Sequence, residues 1–390
     1  MSIPSEKLNQ VADILTNHGV DLWVIFVRET SVAGDPVLPL LCDQHFTWQS
    51  FFLLHASGER VAIVGRHDGL HESDDWPRVV TYVESPEEAL LEEITRLDPE
   101  TIGVNASVDD AHADGLSHGM YLRLLRYLDG TPYPDRLVSA APVIDDLRGA
   151  KTATEIERMR GAIEITESIL EELLGSVERG WSEVRVSDFV QRAMTDRGVR
   201  PAWSPCPLVT TGPDSDVGHG APSGELSVTE GQVFHLDVGV VSEDYCSDLQ
   251  RSWYVTAESD DGIPEDVQRA FDTVRAAIDA AFEALEIGIA GYVVDAASRA
   301  VIVDAGYEEY PHCVGHQVGR TVHDGGVLLG PQWERYGETV ERPVEVNQVF
   351  TLELGVMVPG RGYLGLEDMV VLTDDGPEWL SESPRTLPTL

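Results

Sequence analysis

Along the first 146 residues, apolar positions recur with two periods. A helical spacing of about 3.6 predicts helices near 5–18 and around 116–128. Short apolar runs predict strands at Leu22–Arg28, Phe51–His55, Val61–Arg66, Val79–Val83 and Thr101–Asn105, with Ala56-Ser57-Gly58-Glu59 as a hairpin turn. This alternation implies an α/β domain with a mixed sheet, whose histidines and acids stand singly and are expected to be solvated. At Leu147-Arg148-Gly149-Ala150-Lys151-Thr152 the pattern changes. A long amphipathic helix follows over 154–178, with Ile156, Met159, Ile163, Ile169 and Leu170 on one side. Helices are then expected at 182–197, 264–286 and 291–305, separated by a Pro/Gly-rich loop, a β-hairpin and further strands. Two domains are therefore expected, 1–146 and 147–390, in an α/β (α+β) chain.

Two of the predicted strand pairs carry acids among apolar residues. In Phe234-His235-Leu236-Asp237-Val238 and Tyr245-Cys246-Ser247-Asp248-Leu249, a turn centred between Ser242 and Glu243 would set Asp237 opposite Asp248, with Cβ atoms about 5 Å apart. In Thr351-Leu352-Glu353-Leu354 and Leu364-Gly365-Leu366-Glu367, a turn at Gly360 sets Glu353 opposite Glu367. A single acid of this kind would ordinarily be solvated or cap a turn. Two facing pairs in apolar strands require a cation between them or a shared proton. Between the pairs lies Pro311-His312-Cys313-Val314-Gly315-His316-Gln317-Val318-Gly319-Arg320-Thr321-Val322-His323-Asp324, in which glycines permit close approach and three histidines offer metal ligation and proton transfer. Four carboxylates and an imidazole would balance two divalent cations, and the mixed oxygen and nitrogen donors favour manganese, cobalt, iron or zinc over calcium.

Charge narrows the partners. Acidic residues number 68 against 27 basic ones, for a net charge of −41, and lysine occurs only at positions 7 and 151. Such a field repels nucleic acid and anionic membrane surfaces, so neither is an expected partner. The acids spread over the whole chain, as on proteins from salt-loving organisms. Four cysteines without a C-x-x-C pair fit a reducing cytoplasm, and no apolar run near the start approaches the ~20 residues of a membrane span.

The acid pairs and the histidine loop resemble those of the pita-bread metallopeptidases, which include Xaa-Pro dipeptidase (prolidase), Xaa-Pro aminopeptidase and methionine aminopeptidase, with creatinase as a metal-free relative. The likeness covers about 147–376, and the leading segment resembles a creatinase-type amino-terminal domain. It implies that Asp237 chelates one metal, that Asp248 and Glu367 bridge two, and that His316 and Glu353 hold the second. The metals implied are manganese or cobalt, with zinc or iron as further options. Glu353 would shuttle a proton to and from a metal-activated water, and His323 would steady the substrate carbonyl. His219, in Thr211-Gly212-Pro213-Asp214-Ser215-Asp216-Val217-Gly218-His219-Gly220, would orient substrate, and His312 would touch substrate or support the ligands. The implied activity is hydrolysis of the bond before proline in di- or oligopeptides by a homodimer, and the short Glu353–Glu367 spacing points to a dipeptidase. Asp324, Gly326, Leu354 and Gly365 depart from the family pattern, Gly365 standing where an arginine is usual. A metal-independent creatinase-like C–N hydrolase is disfavoured by five intact ligands. A non-catalytic pita-bread binding module would be expected to have lost some of them, and methionine aminopeptidases generally lack the leading domain.

Overall fold

The computed structural model describes residues 2–108, 110–218 and 220–390. Its contacts separate into two compact units, one ending at Arg148 and the other running Gly149–Leu390.

The first unit contains α1 (Ile3–Asn17), β1 (Leu22–Val27), β2 (Ser50–His55), β3 (Arg60–Gly65), β4 (Arg78–Tyr82), α2 (Glu87–Leu97), β5 (Ile102–Val104), α3 (His118–Tyr127), β6 (Leu137–Ser139) and α4 (Ala141–Gly149). Its sheet has the order β4-β3-β2-β1-β5-β6 and is mixed: β1, β2 and β3 pair antiparallel, and the remaining pairs are parallel. β1 is the continuous apolar run Leu-Trp-Val-Ile-Phe-Val because both of its faces are covered, Trp23, Ile25 and Val27 by one core and Leu22, Val24 and Phe26 by another. Helix α2 alternates charged and apolar residues, and Leu90 and Ile94, one turn apart, bury its inner side. Two acids of this unit are not solvated as expected. Glu93 is buried between Arg78 and Arg96, and Asp35 accepts from the Asn105 amide and from the backbone N–H groups of Val37 and Leu38. The segment Leu147-Arg148-Gly149-Ala150-Lys151-Thr152 begins in the last turn of α4, which ends at Gly149, and leads into α5 (Ala153–Leu174).

The second unit contains α5 (Ala153–Leu174), α6 (Glu183–Asp196), β7 (Arg200–Pro201), β8 (Leu208–Thr211), β9 (Val233–Val238), β10 (Val240–Ser242), β11 (Tyr245–Cys246), β12 (Leu249–Tyr254), α7 (Glu265–Ala284), α8 (Gly291–Asp304), β13 (Gly315–His316), β14 (Leu328–Leu329), β15 (Val349–Val358), β16 (Gly362–Thr373) and β17 (Gly376–Trp379). The principal sheet runs β15-β16-β12-β9-β8, with β17 beside β16. Alternation along these strands sorts the residues by face. Leu352, Leu354, Leu364, Leu366 and Val370 pack on Val267, Phe271, Val274 and Ile278 of α7, each leucine contributing roughly 1.5–3 kcal/mol by leaving water. The opposite parity carries Glu353 and Glu367.

The two acid-bearing hairpins differ in register. β15 and β16 pair Glu353 with Glu367 about Gly360, as the spacing predicts. The first hairpin does not place Asp237 opposite Asp248: Asp237 pairs with Gln250. The turn is centred one residue later than expected, on Glu243-Asp244, whose φ of 47° and 69° make a two-residue turn of the left-handed kind that suits strand twist. Every pair in the hairpin shifts by two positions as a result, and Asp248 falls in the break between β11 and β12.

Candidate metal centre

Register now sets out the site. β15, β16, β12 and β9 place Glu353, Glu367, Gln250 and Asp237 in one lateral row across the sheet, all on the face turned away from α7. Asp248, two residues before Gln250, enters the same face from the break. His316 arrives on β13, which lies close over β15 because Gly315 has no side chain; a Cβ there would sit 2.1 Å from the Thr351 carbonyl oxygen. The Glu353 backbone N–H donates to the Val314 carbonyl at 2.7 Å and fastens the two segments.

Ligand atoms of Asp248, His316 and Glu367, all three buried, lie within 4.8 Å of one another. His316 Nε2 is 3.6 Å from Asp248 Oδ2 and 3.4 Å from Glu353 Oε1. Asp237 Oδ1 and both oxygens of Glu367 are buried with no hydrogen-bond partner. Burial pushes the Asp237, Asp248 and Glu367 carboxyls well above the carboxylate range, reinforced by their mutual charges and that of Glu353; only the nearby Gln250 amide works against this at Glu367. Carboxylates so placed are expensive unless cations neutralise them. Orphaned oxygens facing an imidazole are the donor set that a pair of divalent transition ions takes, and Asp237, Asp248, His316, Glu353 and Glu367 would hold them.

Gln250 Nε2 donates to Glu353 Oε2 at 2.9 Å, and its Oε1 lies 3.1 Å from His235 Nε2. Thr210 Oγ1 lies 3.3 Å from His235 Nδ1. Burial, opposed by the bond to Gln250, holds the His235 pKa down to about 4, so the ring is neutral at pH 7. His323 is exposed, and its ring stands edge-on to that of His316 at 4.5 Å. Its loop is anchored by a buried ion pair between Lys151 and Asp324 at 2.9 Å, just before α5, whose capping box joins Thr152 and Glu155. His312 is exposed; Arg299 donates to its carbonyl at 2.8 Å, so its backbone position is set by the Asp295–Arg299 pair. His219 lies outside the described residues. Cys246 is buried, and burial with the charges of Asp324 and Asp248 pushes its thiol up to about 12, which suits packing and not nucleophilic attack. Trp253 is a core residue, whereas Trp203 packs against Gly239 and Trp333 stacks on Tyr336. Gln250 and His235 are the residues of the site that sequence reasoning passed over. Their signal was parity: each is a polar residue in an apolar strand, on the face of the acids. Among the described residues no helix is long and apolar enough to cross a membrane.

Comparison with known proteins places this geometry in context. Residues 157–374 match the model of metallopeptidase family M24. The chain is 30% identical over 248 residues to the Xaa-Pro dipeptidase of Pyrococcus furiosus, an alignment covering 63% of this chain and 66% of that one. It thus spans just under two thirds of the length of the curated relatives it matches. Among solved structures, the Xaa-Pro dipeptidase from Bacillus anthracis superposes with a TM-score of 0.74 at 21% identity, covering 99% of this chain and 100% of that one. The X-Pro aminopeptidase from Thermotoga maritima gives 0.70 at 23% identity, with 98% and 99% covered. The fold is the α/β pita-bread fold that the sequence led us to expect, and the chain belongs to metallopeptidase family M24.

Proposed function

We propose that the chain is a dinuclear-metal Xaa-Pro dipeptidase, cleaving the bond before proline. The observation that supports this most is the convergence of buried, unpartnered carboxylate oxygens of Asp237 and Glu367 with Asp248 and His316. The name carried by the Pyrococcus furiosus relative agrees with it. Asp237 and Asp248 would hold one ion and His316 and Glu353 the other, with Asp248 and Glu367 shared. Two divalent ions, manganese or cobalt in our reading, would supply Lewis acidity and a water acidic enough to react near neutral pH.

The protein's own groups do the rest. Glu353 is only partly buried, with a side chain 15% exposed, and its Oε1 points to His316. In our reading it would take a proton from the attacking water and return it to the leaving nitrogen. His323, exposed beside His316, would donate to the carbonyl oxygen as charge develops there. A bond before proline has no amide hydrogen, so the pocket needs no acceptor for one and can pack the ring instead. We assign substrate orientation to His219 and a supporting role to His312. The net charge of −41, with both lysines buried, fits a salt-adapted cytoplasmic enzyme, and we expect a homodimer.

The test is hydrolysis of Ala-Pro and Ala-Pro-Ala in high salt by chelated protein with manganese or cobalt restored, beside Asp248→Asn. Metal-dependent cleavage of Ala-Pro in preference to the tripeptide, absent from the variant, is the expected result. Preference for the tripeptide would make the protein an aminopeptidase. No cleavage of either by metal-loaded protein would overturn the assignment to proline peptides.

A further inference from the structure

The row of side chains across the sheet contains one member that is not an acid. Gln250 stands between Asp237 and Glu367 in register, and its amide reaches past Glu367 to Glu353. A carboxylate can only accept, so the nitrogen of the amide must face Glu353 and its oxygen must face His235. That oxygen in turn takes the hydrogen on Nε2 of His235, and Nδ1 of the same ring lies beside the Thr210 hydroxyl. Thr210, His235, Gln250 and Glu353 form a hydrogen-bonded chain that ends on Oε2 of Glu353. Oε1, the other oxygen, is left facing His316.

The next row along the sheet explains why this chain has room. It pairs Gly355 with Gly365 and His235 with Ser252 and Thr210. A Cβ at Gly365 would lie 2.8 Å from Gln250 Oε1, 3.0 Å from His235 Nε2 and 2.6 Å from the Tyr363 ring. Tyr363 lies over both glycines and meets the His235 ring edge-on, with centroids 5.0 Å apart. Any side chain at 365 would displace these groups. Gly365 thus leaves the space that Gln250, His235 and Tyr363 fill.

We propose that Gln250, held by His235, is a positioning residue that fixes the carboxylate of Glu353, reserving Oε2 for the protein and presenting Oε1 to the metal side of the site. This rests on Glu353 being a metal ligand. Neutral donors to a ligating carboxylate set its orientation and basicity, and losing one typically costs about 10–100-fold in metal affinity.

The experiment is calorimetric titration of the chelated full-length protein with manganese chloride, with the visible spectrum of the cobalt-loaded protein as a second readout. Gln250→Met keeps the length and removes the amide; Gln250→Leu also removes the amide, in a branched side chain of similar volume, and serves if the first variant does not fold. Either should weaken one of the two manganese equivalents about 10–100-fold and shift the cobalt spectrum, while the unfolding midpoint of chelated protein changes little. His235→Phe should act in the same direction more weakly, and the Gln250→Met/His235→Phe double variant should be no worse than Gln250→Met alone. Wild-type isotherms and spectra in the folded Gln250 variants, or additive effects of the two sites, overturn the proposal. Wild-type protein that binds no manganese would overturn the metal assignment itself, and this proposal with it.

Discussion

Glu367 and Asp368 are adjacent on β16, and both are buried, yet the protein treats them in opposite ways. Asp368 points to the α7 side of the sheet, where it meets Arg251 at 3.0 Å and Arg275 at 3.3 Å and accepts from the Ser381 hydroxyl and from the backbone and hydroxyl of Ser383. Glu367 points to the other face and has no partner on either oxygen. The same contrast separates Glu93 of the first unit, enclosed by two guanidiniums, from Asp237. The carboxylates of Asp368 and Glu93, which hold the fold together, arrive with their cations built in. Those of the metal centre leave their charge for something outside the chain to meet.

The contrast is broken most severely at Asp368. Asp368→Asn removes the buried counter-charge shared by two arginines, leaving Arg275 to Asp279 and Arg251 to the more distant Glu167, and should destabilise the protein by about 3 kcal/mol, measured by denaturant unfolding with or without metal. On the other face the dependence on metal is the signature: manganese at about 100 times its dissociation constant should raise wild-type stability by about 2.7 kcal/mol and leave Glu367→Gln nearly unmoved, as followed by thermal unfolding.

Proton linkage sharpens the comparison further. Burial and neighbouring carboxylates raise the pKa of Asp237, Asp248 and Glu367 in the folded chain. Their stabilisation is thus complete below about pH 4, near the unfolded values, and is lost as pH rises through the folded values. Glu93 has the opposite sign: burial would raise its pKa, but Arg78 and Arg96 bring it below normal, so its contribution is present above about pH 4.3 and is lost as pH falls. Unfolding of chelated wild type beside chelated Glu367→Gln from pH 4 to 8 should show the wild type losing stability relative to the variant as pH rises; a constant difference would contradict this. The smallest effect belongs to Arg78→Ala. Its side chain is 50% exposed, and Arg96 remains on Glu93, so a loss within about 1 kcal/mol is expected in urea unfolding.

Much of this was legible in residue order, because period-two alternation tells which side of a strand a residue faces whatever the tertiary context. That is how Glu353 and Glu367 could be paired about Gly360, and how His316 could be associated with them through its glycine loop. What failed was the turn before Asp248. Glu243-Asp244 lacks the glycine or asparagine that marks a left-handed two-residue turn, so its centre was placed one residue early and Asp248 took the place in register that Gln250 holds. Helix α2 was missed although Leu90, Leu91, Ile94 and Leu97 recur at helical spacing, because the helix is short and follows the Pro86 of a polar loop. The cations of Asp368 were out of reach for another reason: Arg275 lies 93 positions away on α7, and only packing brings the two together.

The central claim is that the unpartnered acids are a centre for two metal ions, and the most direct test is stoichiometry. Chelated wild-type protein titrated with manganese should take up two equivalents per chain, and Glu367→Gln, folded and of unchanged or greater metal-free stability, should fail to hold both. Equal uptake by the two proteins, or no uptake by the wild type, would contradict the account.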